Sequence, residues 1–242
     1  MRKIAFITGA SRGIGAAIAE KFAKEGYHLA INSRNEALLQ KKAQELTEKY
    51  HIVCLAFAGD ISNKEFVQKT FLEIKEKLGT IDVLVNNAGI SYIGLLTDME
   101  VEDWHRILDT NLTSVFLCSK YVIPQMLQKK TGKIINISSV WGNAGASCEV
   151  AYSASRGGMN AFTKALAKEL APSNIQVNAI ACGVIDTEMN GCFSEEERKE
   201  LEEEVPVGRF GSPQEVAEMA YFLANAPGYL TGQIITIDGG WI

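Results

Sequence analysis

Short apolar runs alternate with longer segments of helical periodicity along the whole of the 242-residue chain. Each run is almost continuously apolar, which is typical of strands that are buried on both faces. The pattern therefore predicts a doubly wound α/β fold of the Rossmann type, a parallel seven-stranded sheet with helices on both faces. The predicted strands are residues 4–7, 28–32, 52–58, 82–85, 133–137, 175–180 and 233–237.

The segments between these strands predict the helices that cover the sheet. They are residues 13–25, 36–49, 64–78, 101–128, 149–170 and 213–224. The chain has a mass of 26.4 kDa and shows no internal repeat, low-complexity linker or shift in composition. We therefore expect one domain over residues 1–242.

Charge and cysteine usage argue against several classes of function. The net charge is −5 and long basic runs are absent, which argues against a nucleic-acid surface. No apolar stretch is long enough for a membrane span. The five cysteines are scattered without a C-x-x-C pair, so neither a disulfide framework nor a metal site is expected. These features predict a soluble protein of the reducing cytoplasm, without a metal, a nucleic-acid partner or a membrane partner.

A glycine-rich turn joins the first predicted strand to the first helix, Thr8-Gly9-Ala10-Ser11-Arg12-Gly13-Ile14-Gly15. Its glycines allow a close backbone approach, and the helix N-terminus offers free N–H groups to a phosphate. The spacing differs from the common G-x-G-x-x-G fingerprint, and such a turn is also compatible with a plain strand–helix connection. Its position predicts a dinucleotide site that uses Gly9, Ser11, Arg12, Gly13, Ile14 and Gly15.

The end of the second strand bears on the choice between NADH and NADPH. An acid there would bind the ribose hydroxyls of NADH, but the sequence reads Asn32-Ser33-Arg34. Ser33 and Arg34, with Arg12 from the turn, would instead bind the 2′-phosphate of NADPH through charge-assisted hydrogen bonds. The alternative is that both arginines are solvated surface side chains. The sequence favours NADPH over NADH.

A candidate catalytic group follows the fifth predicted strand, at the edge of the sheet where ligands of α/β proteins bind. Ser139 lies at this strand's end, and Tyr152 and Arg156 share one face of the next helix. A tyrosine beside a hydroxyl and a fixed cation is a plausible proton donor to a carbonyl oxygen. Taken alone, a Tyr–Arg pair at this spacing is also common on helix surfaces.

Together these motifs resemble the short-chain dehydrogenase/reductase superfamily along essentially the whole chain. The matching elements are the Thr8–Gly15 turn, Asp60, Asn86-Asn87-Ala88-Gly89, Asn111, Ser139, Tyr152, Thr187 and Asp238-Gly239-Gly240. The resemblance implies a nicotinamide-dependent enzyme that reduces a ketone to a secondary alcohol. It also implies a homotetramer, with helices 110–128 and 150–170 packing against their copies and the last strand with Trp241-Ile242 forming a second contact.

The resemblance assigns a role to each matching residue. Ser139 would orient the substrate carbonyl, Tyr152 would donate the proton, and Asn111 would hold a water in the proton relay. The implied cofactor contacts are Asp60 and Asn86 at the adenine end, Thr187 at the nicotinamide carboxamide, and elsewhere Ile61, Asn87, Ala88, Gly89, Tyr152, Arg156 and Val184.

Two positions depart from the family pattern. The family has a lysine four residues after the tyrosine, where this chain has Arg156. Arginine keeps the positive charge but is planar, bulkier and never deprotonated, so it cannot pass a proton on as lysine does. Cys182-Gly183 stands where the family has Pro-Gly; Cys182 is expected to fill space rather than to act as a nucleophile.

The substrate is open between two classes of ketone. The whole chain resembles bacterial 3-oxoacyl-acyl-carrier-protein reductases, whose acidic carrier needs a basic docking surface; Lys129, Lys130 and Lys133 are the cluster available. The stretch from Ser139 to Val150 resembles elongation factor P 5-aminopentanone reductases.

Acidic residues around the site are compatible with the second class. Glu149 would pair with a substrate ammonium or cap the tyrosine-bearing helix. The glutamate-rich segment 194–204 would cover the pocket or form a solvated helix face. A third reading is a protein that binds NADPH but catalyses poorly, because arginine replaces the family lysine.

Overall fold

The computed structural model describes residues 2–191 and 193–242, and it confirms the predicted α/β fold. Within this range, seven strands form one sheet: β1 (Ile4–Thr8), β2 (His28–Ser33), β3 (Cys54–Ala58), β4 (Val83–Asn86), β5 (Gly132–Ser139), β6 (Ile175–Cys182) and β7 (Ile234–Ile237). Their order is β3-β2-β1-β4-β5-β6-β7, and every neighbouring pair is parallel. Cys192, one of the cysteines predicted to be unpaired, lies outside the described residues.

Helices cover both faces of this sheet. They are α1 (Gly13–Lys24), α2 (Glu36–Tyr50), α3 (Lys64–Lys77), α4 (Val101–Leu108), α5 (Ser114–Lys129), α6 (Trp141–Ala144), α7 (Val150–Leu170), α8 (Glu195–Glu204) and α9 (Pro213–Asn225). Apolar side chains of α1, α2 and α9 form a core on one face, and those of α3, α5 and α7 form a second core on the other. No helix in the described part of the chain is both long and apolar enough to cross a membrane.

The predicted helix 101–128 is interrupted. A π-helical turn, Asp109–Thr113, separates α4 from α5, and such turns are often found at functional sites. The turn contains Asn111, whose fully buried side chain reaches back to the backbone of Ile90. Helical periodicity runs across this wide turn, so the sequence pattern alone does not reveal the break.

Four strands are longer than predicted: β1 and β2 gain one residue at their carboxyl ends, and β5 and β6 gain two residues there. The predicted strands end at 137 and 180, whereas β5 runs to Ser139 and β6 to Cys182, and these two residues pair with each other. Because the strands are parallel, their carboxyl ends lie along one edge of the sheet. Thr8 and Asn86 end β1 and β4 at the same edge. This carboxyl edge therefore gathers the residues that the sequence singled out.

Candidate active site

The glycine-rich turn leaves the start of α1 open for an anion. Arg12 precedes the helix without a side-chain capping bond, and the first turn contains no acidic residue. The first N–H groups of a helix have no partner within it, and the helix dipole adds positive potential at this end. These donors suit a phosphate.

Glycines 9 and 15 are required by the close packing of this turn. Gly9 has a left-handed φ of 66°. A methyl group at Gly15 would lie 2.2 Å from the carbonyl oxygen of Gly9 and 2.4 Å from Asn87 Nδ2. Asn87 Nδ2 donates to the carbonyl oxygens of Thr8 and Gly9 at 2.9 and 3.1 Å. The Asn87 side chain therefore supports the turn, and only a residue without a Cβ fits beside it.

The hydroxyl of Thr8 was not singled out by the sequence, although it joins two strand ends. Its Oγ1 accepts hydrogen bonds from the backbone N–H groups of Asn87 and Ala88, both at 3.0 Å. These bonds fix the turn after β1 against the segment after β4. Both segments border the predicted dinucleotide cleft, so the cleft is held together before any ligand enters.

The loop after β6 approaches the same turn. A Cβ at Gly13 would lie 3.4 Å from the methyl group of Thr187, which brings this predicted nicotinamide contact to the start of α1. Arg12 forms an ion pair with Glu188, and both side chains are largely exposed. The 2′-phosphate ligand predicted at Arg12 would therefore have to replace or share this carboxylate. Val184, earlier in the loop, is half-buried, and its carbonyl accepts from the N–H of Gly211.

The predicted adenosine-binding residues lie beside β2 and β3. Ser33 Oγ donates to the carbonyl of Asn35 at 3.2 Å, and Arg34 is exposed, with no hydrogen bond or ion pair to another described residue. Asp60 is exposed and accepts two bonds from Ser62, whereas the side chain of Ile61 is buried.

The expectation that Asn86 contacts adenine is not supported by its surroundings. Its side chain is 3% exposed and donates from Nδ2 to Asn136 Oδ1 at 2.8 Å. Asn136 in turn donates to Thr163 Oγ1 at 2.8 Å, inside the protein. Asn86 therefore links β4 to β5 and α7, and its amide faces this buried network.

Arg156 is the most unusual side chain of the candidate site. It is 4% exposed, and Cζ of its guanidinium lies 4.9 Å from the centre of the Tyr152 ring. Nη1 donates to the carbonyl oxygen of Ile137 at 3.1 Å, while Nε is buried without a hydrogen-bond partner among the described residues. A cation over a tyrosine ring is attracted by the π electrons of the ring.

Space for the guanidinium is provided by Gly89. A Cβ at Gly89 would lie 2.2 Å from Arg156 Nη2 and 3.4 Å from Asn111 Oδ1. Gly89 of the Asn87-Ala88-Gly89 segment thus lies beside two other predicted site residues, Asn111 and Arg156. A side chain at position 89 would push the cation away from the tyrosine.

Asn111 braces this group from the π-helical turn. Its Oδ1 accepts from the N–H of Ile90 at 2.8 Å, and its Nδ2 donates to the Ile90 carbonyl and to Ser155 Oγ at 2.9 and 3.1 Å. Ser155, which the sequence did not reveal, donates to the carbonyl of Tyr152. Both amide hydrogens of Asn111 are used within the protein, so its side chain positions α7 against the segment after β4.

Ser139 is poised as a donor at the end of β5. Its Oγ accepts a hydrogen bond from the backbone N–H of Trp141 at 3.2 Å. Because this bond uses a lone pair, the hydroxyl proton is left to donate to another oxygen. A substrate carbonyl is a suitable acceptor.

Cys182 is unsuited to nucleophilic chemistry. Burial raises the pKa of its thiol to about 12, and the positive charge of Arg156 offsets only part of this effect. The thiolate is the reactive form, so the group is inert near neutral pH. The position fills space next to Ser139, as expected from the sequence.

Glu149 does not cap α7 through its side chain, which was one of the two predicted roles. Its Oε2 instead accepts from Ser91 Oγ at 2.8 Å. Ser91 follows the Asn-Ala-Gly segment, and Glu149 precedes Tyr152 by three residues. The half-buried carboxylate is therefore held near the tyrosine by a neutral donor, with no cation recorded beside it among the described residues.

The one basic cluster that the sequence offers for an acidic carrier lies at the amino edge of the sheet, opposite the candidate site. Lys129 ends α5, and Lys133 is the second residue of β5, whereas Ser139 is its last. Lys133 and Ser139 are six residue steps apart along β5, or ~20 Å. Lys129 pairs with Asp82, and Lys133 Nζ donates to the carbonyl of Ala226 at 2.7 Å. These lysines therefore lie at the amino edge of the sheet, away from the candidate site.

The residues present fit a dinucleotide. The start of α1 offers unpaired donors, the glycine turn leaves no Cβ in the way, and Arg156 presents a buried, orphaned N–H group beside Tyr152. Among the described residues, no cluster of three or more His, Cys, Asp or Glu side chains forms a possible metal site.

Comparison with known proteins agrees with this arrangement. A family model described as enoyl-(acyl carrier protein) reductase matches residues 9–242. The chain is 41% identical to a 3-oxoacyl-[acyl-carrier-protein] reductase of Aquifex aeolicus, covering 98% of this chain and 96% of that protein. It is 38% identical to the uncharacterized oxidoreductase YmfI of Bacillus subtilis, covering 100% and 99%.

A solved structure shows the same fold. It is described as a putative gluconate dehydrogenase from Agrobacterium tumefaciens and superposes with a TM-score of 0.94 at 35% identity, covering 99% of this chain and 95% of that one. The chain belongs to the short-chain dehydrogenase/reductase family. It is accordingly an oxidoreductase of the class that acts on CH–OH and C=O groups.

Replacing Arg156 with lysine tests the departure at the catalytic cation. We expect Arg156→Lys to raise kcat at least about tenfold, or about 1.4 kcal/mol of barrier, because an ammonium can relay protons and a guanidinium cannot. The measurement is steady-state ketone reduction by both proteins. An unchanged kcat in a protein that already turns over quickly would show that arginine serves as well as lysine here.

Proposed function

We propose that this protein reduces a ketone to a secondary alcohol with NADPH, in the manner of the 3-oxoacyl-[acyl-carrier-protein] reductases that it resembles. The observation that carries the proposal is the buried Arg156 guanidinium on the Tyr152 ring, at the sheet edge where Ser139 presents a free hydroxyl proton. The full-length similarity to such reductases supports the substrate class.

The residues divide the work of the reaction. The dinucleotide would be held by the glycine turn, by the segments after β2, β3 and β4, and by Thr187; when bound, its reduced nicotinamide supplies the hydride. Ser139 donates a hydrogen bond to the substrate carbonyl and orients it. Tyr152 gives its phenolic proton to the same oxygen. Arg156 stabilises the resulting phenolate by its charge, and Asn111 keeps α7 in place.

A direct assay with a tyrosine variant tests the reaction. We expect the protein to oxidise NADPH with 3-oxoacyl thioesters. Tyr152→Phe should abolish this activity and leave NADPH binding nearly intact, because it removes the proton donor and not the glycine turn that binds the phosphates. NADPH consumption and nucleotide fluorescence titration measure the two properties separately. Binding without consumption, in the unmodified protein and with every ketone, would favour a nucleotide-sensing role.

The preference for NADPH is part of the proposal. Arg34 supports it because this exposed arginine follows β2, where an acid would serve NADH, and has no partner among the described residues. Arg12 contributes less, because Glu188 competes for it.

Removal of the Arg34 side chain should separate the two cofactors. Arg34→Ala is expected to weaken NADPH binding by about 1–3 kcal/mol and to leave NADH binding unchanged, since one charge-assisted bond is lost. Dissociation constants for both nucleotides check this, with Arg106→Ala as the matched control, because Arg106 is an exposed arginine on α4 that pairs locally with Asp103. Equal affinities of the unmodified protein for the two nucleotides would contradict the preference.

A second substrate class is favoured by Glu149. Its carboxylate is held by Ser91 near Tyr152, and the only lysine cluster that the sequence offers for an acidic carrier lies at the other edge of the sheet. A ketone that bears an ammonium group, such as the 5-aminopentanone modification of elongation factor P, would pair with this carboxylate.

Removing the negative charge of Glu149 distinguishes the two substrate classes. If the substrate is cationic, Glu149→Gln should raise KM for an aminoketone-modified peptide by about tenfold and leave KM for a 3-oxoacyl thioester unchanged, because only the former loses an ion pair. Both ketones are compared side by side with the same enzyme. Equal effects on the two substrates would assign Glu149 a structural role.

We further propose a homotetramer, on the family resemblance. Exposed apolar side chains on the helices expected at the contacts support this arrangement. They are Phe116 and Leu127 on α5 and Val150 on α7, which are 46%, 41% and 41% exposed.

A further inference from the structure

The C-terminal Asp238-Gly239-Gly240 sequence forms a tight turn that has no part in the reaction described above. The Asp238 carboxylate accepts from the N–H groups of Gly240 and Ile242, both at 2.9 Å. Gly239 and Gly240 have left-handed φ values of 69° and 85°, which glycine adopts without strain. The turn therefore directs the last two residues to a fixed place.

Close contacts seat this turn against the carboxyl edge of the sheet. A Cβ at Gly183, directly after β6, would lie 2.8 Å from Asp238 Cα. A Cβ at Gly239 would lie 2.8 Å from Val205 Cγ1, directly after α8. The turn is thus closely packed against Gly183 on one side and Val205 on the other, and these contacts fix the path of the chain after β7.

The turn delivers Trp241 to Trp141. The two indole rings meet edge to face, with centroids 4.9 Å apart and planes at 62°, a favourable aromatic geometry. Trp141 begins α6, and its backbone N–H is the group that donates to Ser139 Oγ.

The other side of α6 rests on the catalytic helix. A Cβ at Gly142 would lie 2.7 Å from the carbonyl carbon of Arg156 and 2.9 Å from its Cβ. The short helix is thus held between Trp241 and the turn of α7 that carries Arg156. Displacement of Trp241 would let α6 move away from α7 and would disturb the N–H bond that leaves the Ser139 proton free.

We propose that Trp241 is a positioning residue for Ser139 and acts through Trp141 and α6. The inference rests on the proposed function, since it assigns a role in carbonyl orientation. It predicts that loss of the Trp241 side chain lowers kcat/KM for the ketone and leaves dinucleotide affinity unchanged, because the glycine turn proposed to bind the dinucleotide lies on other elements.

A double-mutant cycle tests this role. Trp241→Ala should lower kcat/KM for the ketone about three- to tenfold, the range that loss of an aromatic pair allows, and Trp241→Phe should restore most of it. In a Ser139→Ala background, Trp241→Ala should have almost no further effect, because coupled residues are not additive. The dissociation constant for NADPH should stay unchanged. Tyr229→Ala is the matched control, because Tyr229 is a fully exposed aromatic side chain.

Several outcomes would overturn the proposal. They are an unchanged kcat/KM in Trp241→Ala, an equal loss with and without the Ser139 hydroxyl, and a parallel loss of NADPH affinity. A Trp241→Ala protein that fails to fold, with Trp241→Phe losing stability but no kcat/KM, would assign the contact to stability instead. Absence of ketone reduction in the unmodified protein, despite NADPH binding, would overturn the proposed function and this inference together.

Discussion

The parallel hydrogen-bonded ladder of the central strands is the constraint on which the site depends. Pairing in one direction places the carboxyl ends of β1, β4, β5 and β6 at one edge, so that residues far apart in sequence become neighbours. Strand ends alone would leave the loops free to move. The Thr8 hydroxyl and the Asn87 amide remove that freedom by joining the turn after β1 to the segment after β4.

Arg156 brings a positive charge into this edge, and no carboxylate among the described residues forms an ion pair with it. A buried cation is costly unless polar groups replace its water shell. Three groups take the place of water around the Arg156 guanidinium, and all interact with it weakly: the carbonyl of Ile137, the Tyr152 ring and the Met159 sulfur at 4.0 Å. Nε has no hydrogen-bond partner among the described residues. In the proposed reaction, a guanidinium with so few partners is suited to stabilise the negative charge that develops on the Tyr152 oxygen. Gly89 leaves room for the Arg156 guanidinium, because any side chain at position 89 would collide with it.

Much of the fold and of the site could be predicted from local pattern. The strands are short apolar runs, and the glycine turn, Ser139, Tyr152 and Arg156 were found because each has a local signature. The break at Asp109–Thr113 had none, because helical periodicity runs across it. Trp141 and Trp241 meet only through the path of the C-terminal turn, and Asn86 faces inward because its partner is on β5. The position of Lys129, Lys130 and Lys133 also follows from the pattern, because residues at the start of a parallel strand lie at the amino edge of the sheet.

The distribution of charge at the carboxyl edge limits how a substrate can approach. Arg198 of α8 donates to Asp186, just after β6, at 2.9 Å, so this glutamate-rich helix lies beside the site. Arg12 neutralises Glu188, whereas Glu149 has no cationic partner among the described residues. At physiological salt, the fields of exposed charges decay over about 8 Å. If the substrate is the proposed aminoketone, the Glu149 carboxylate would attract its cationic group as it approaches. Discrimination between the two proposed substrate classes would then depend on Glu149, because a half-buried carboxylate is screened less than the exposed ones around it.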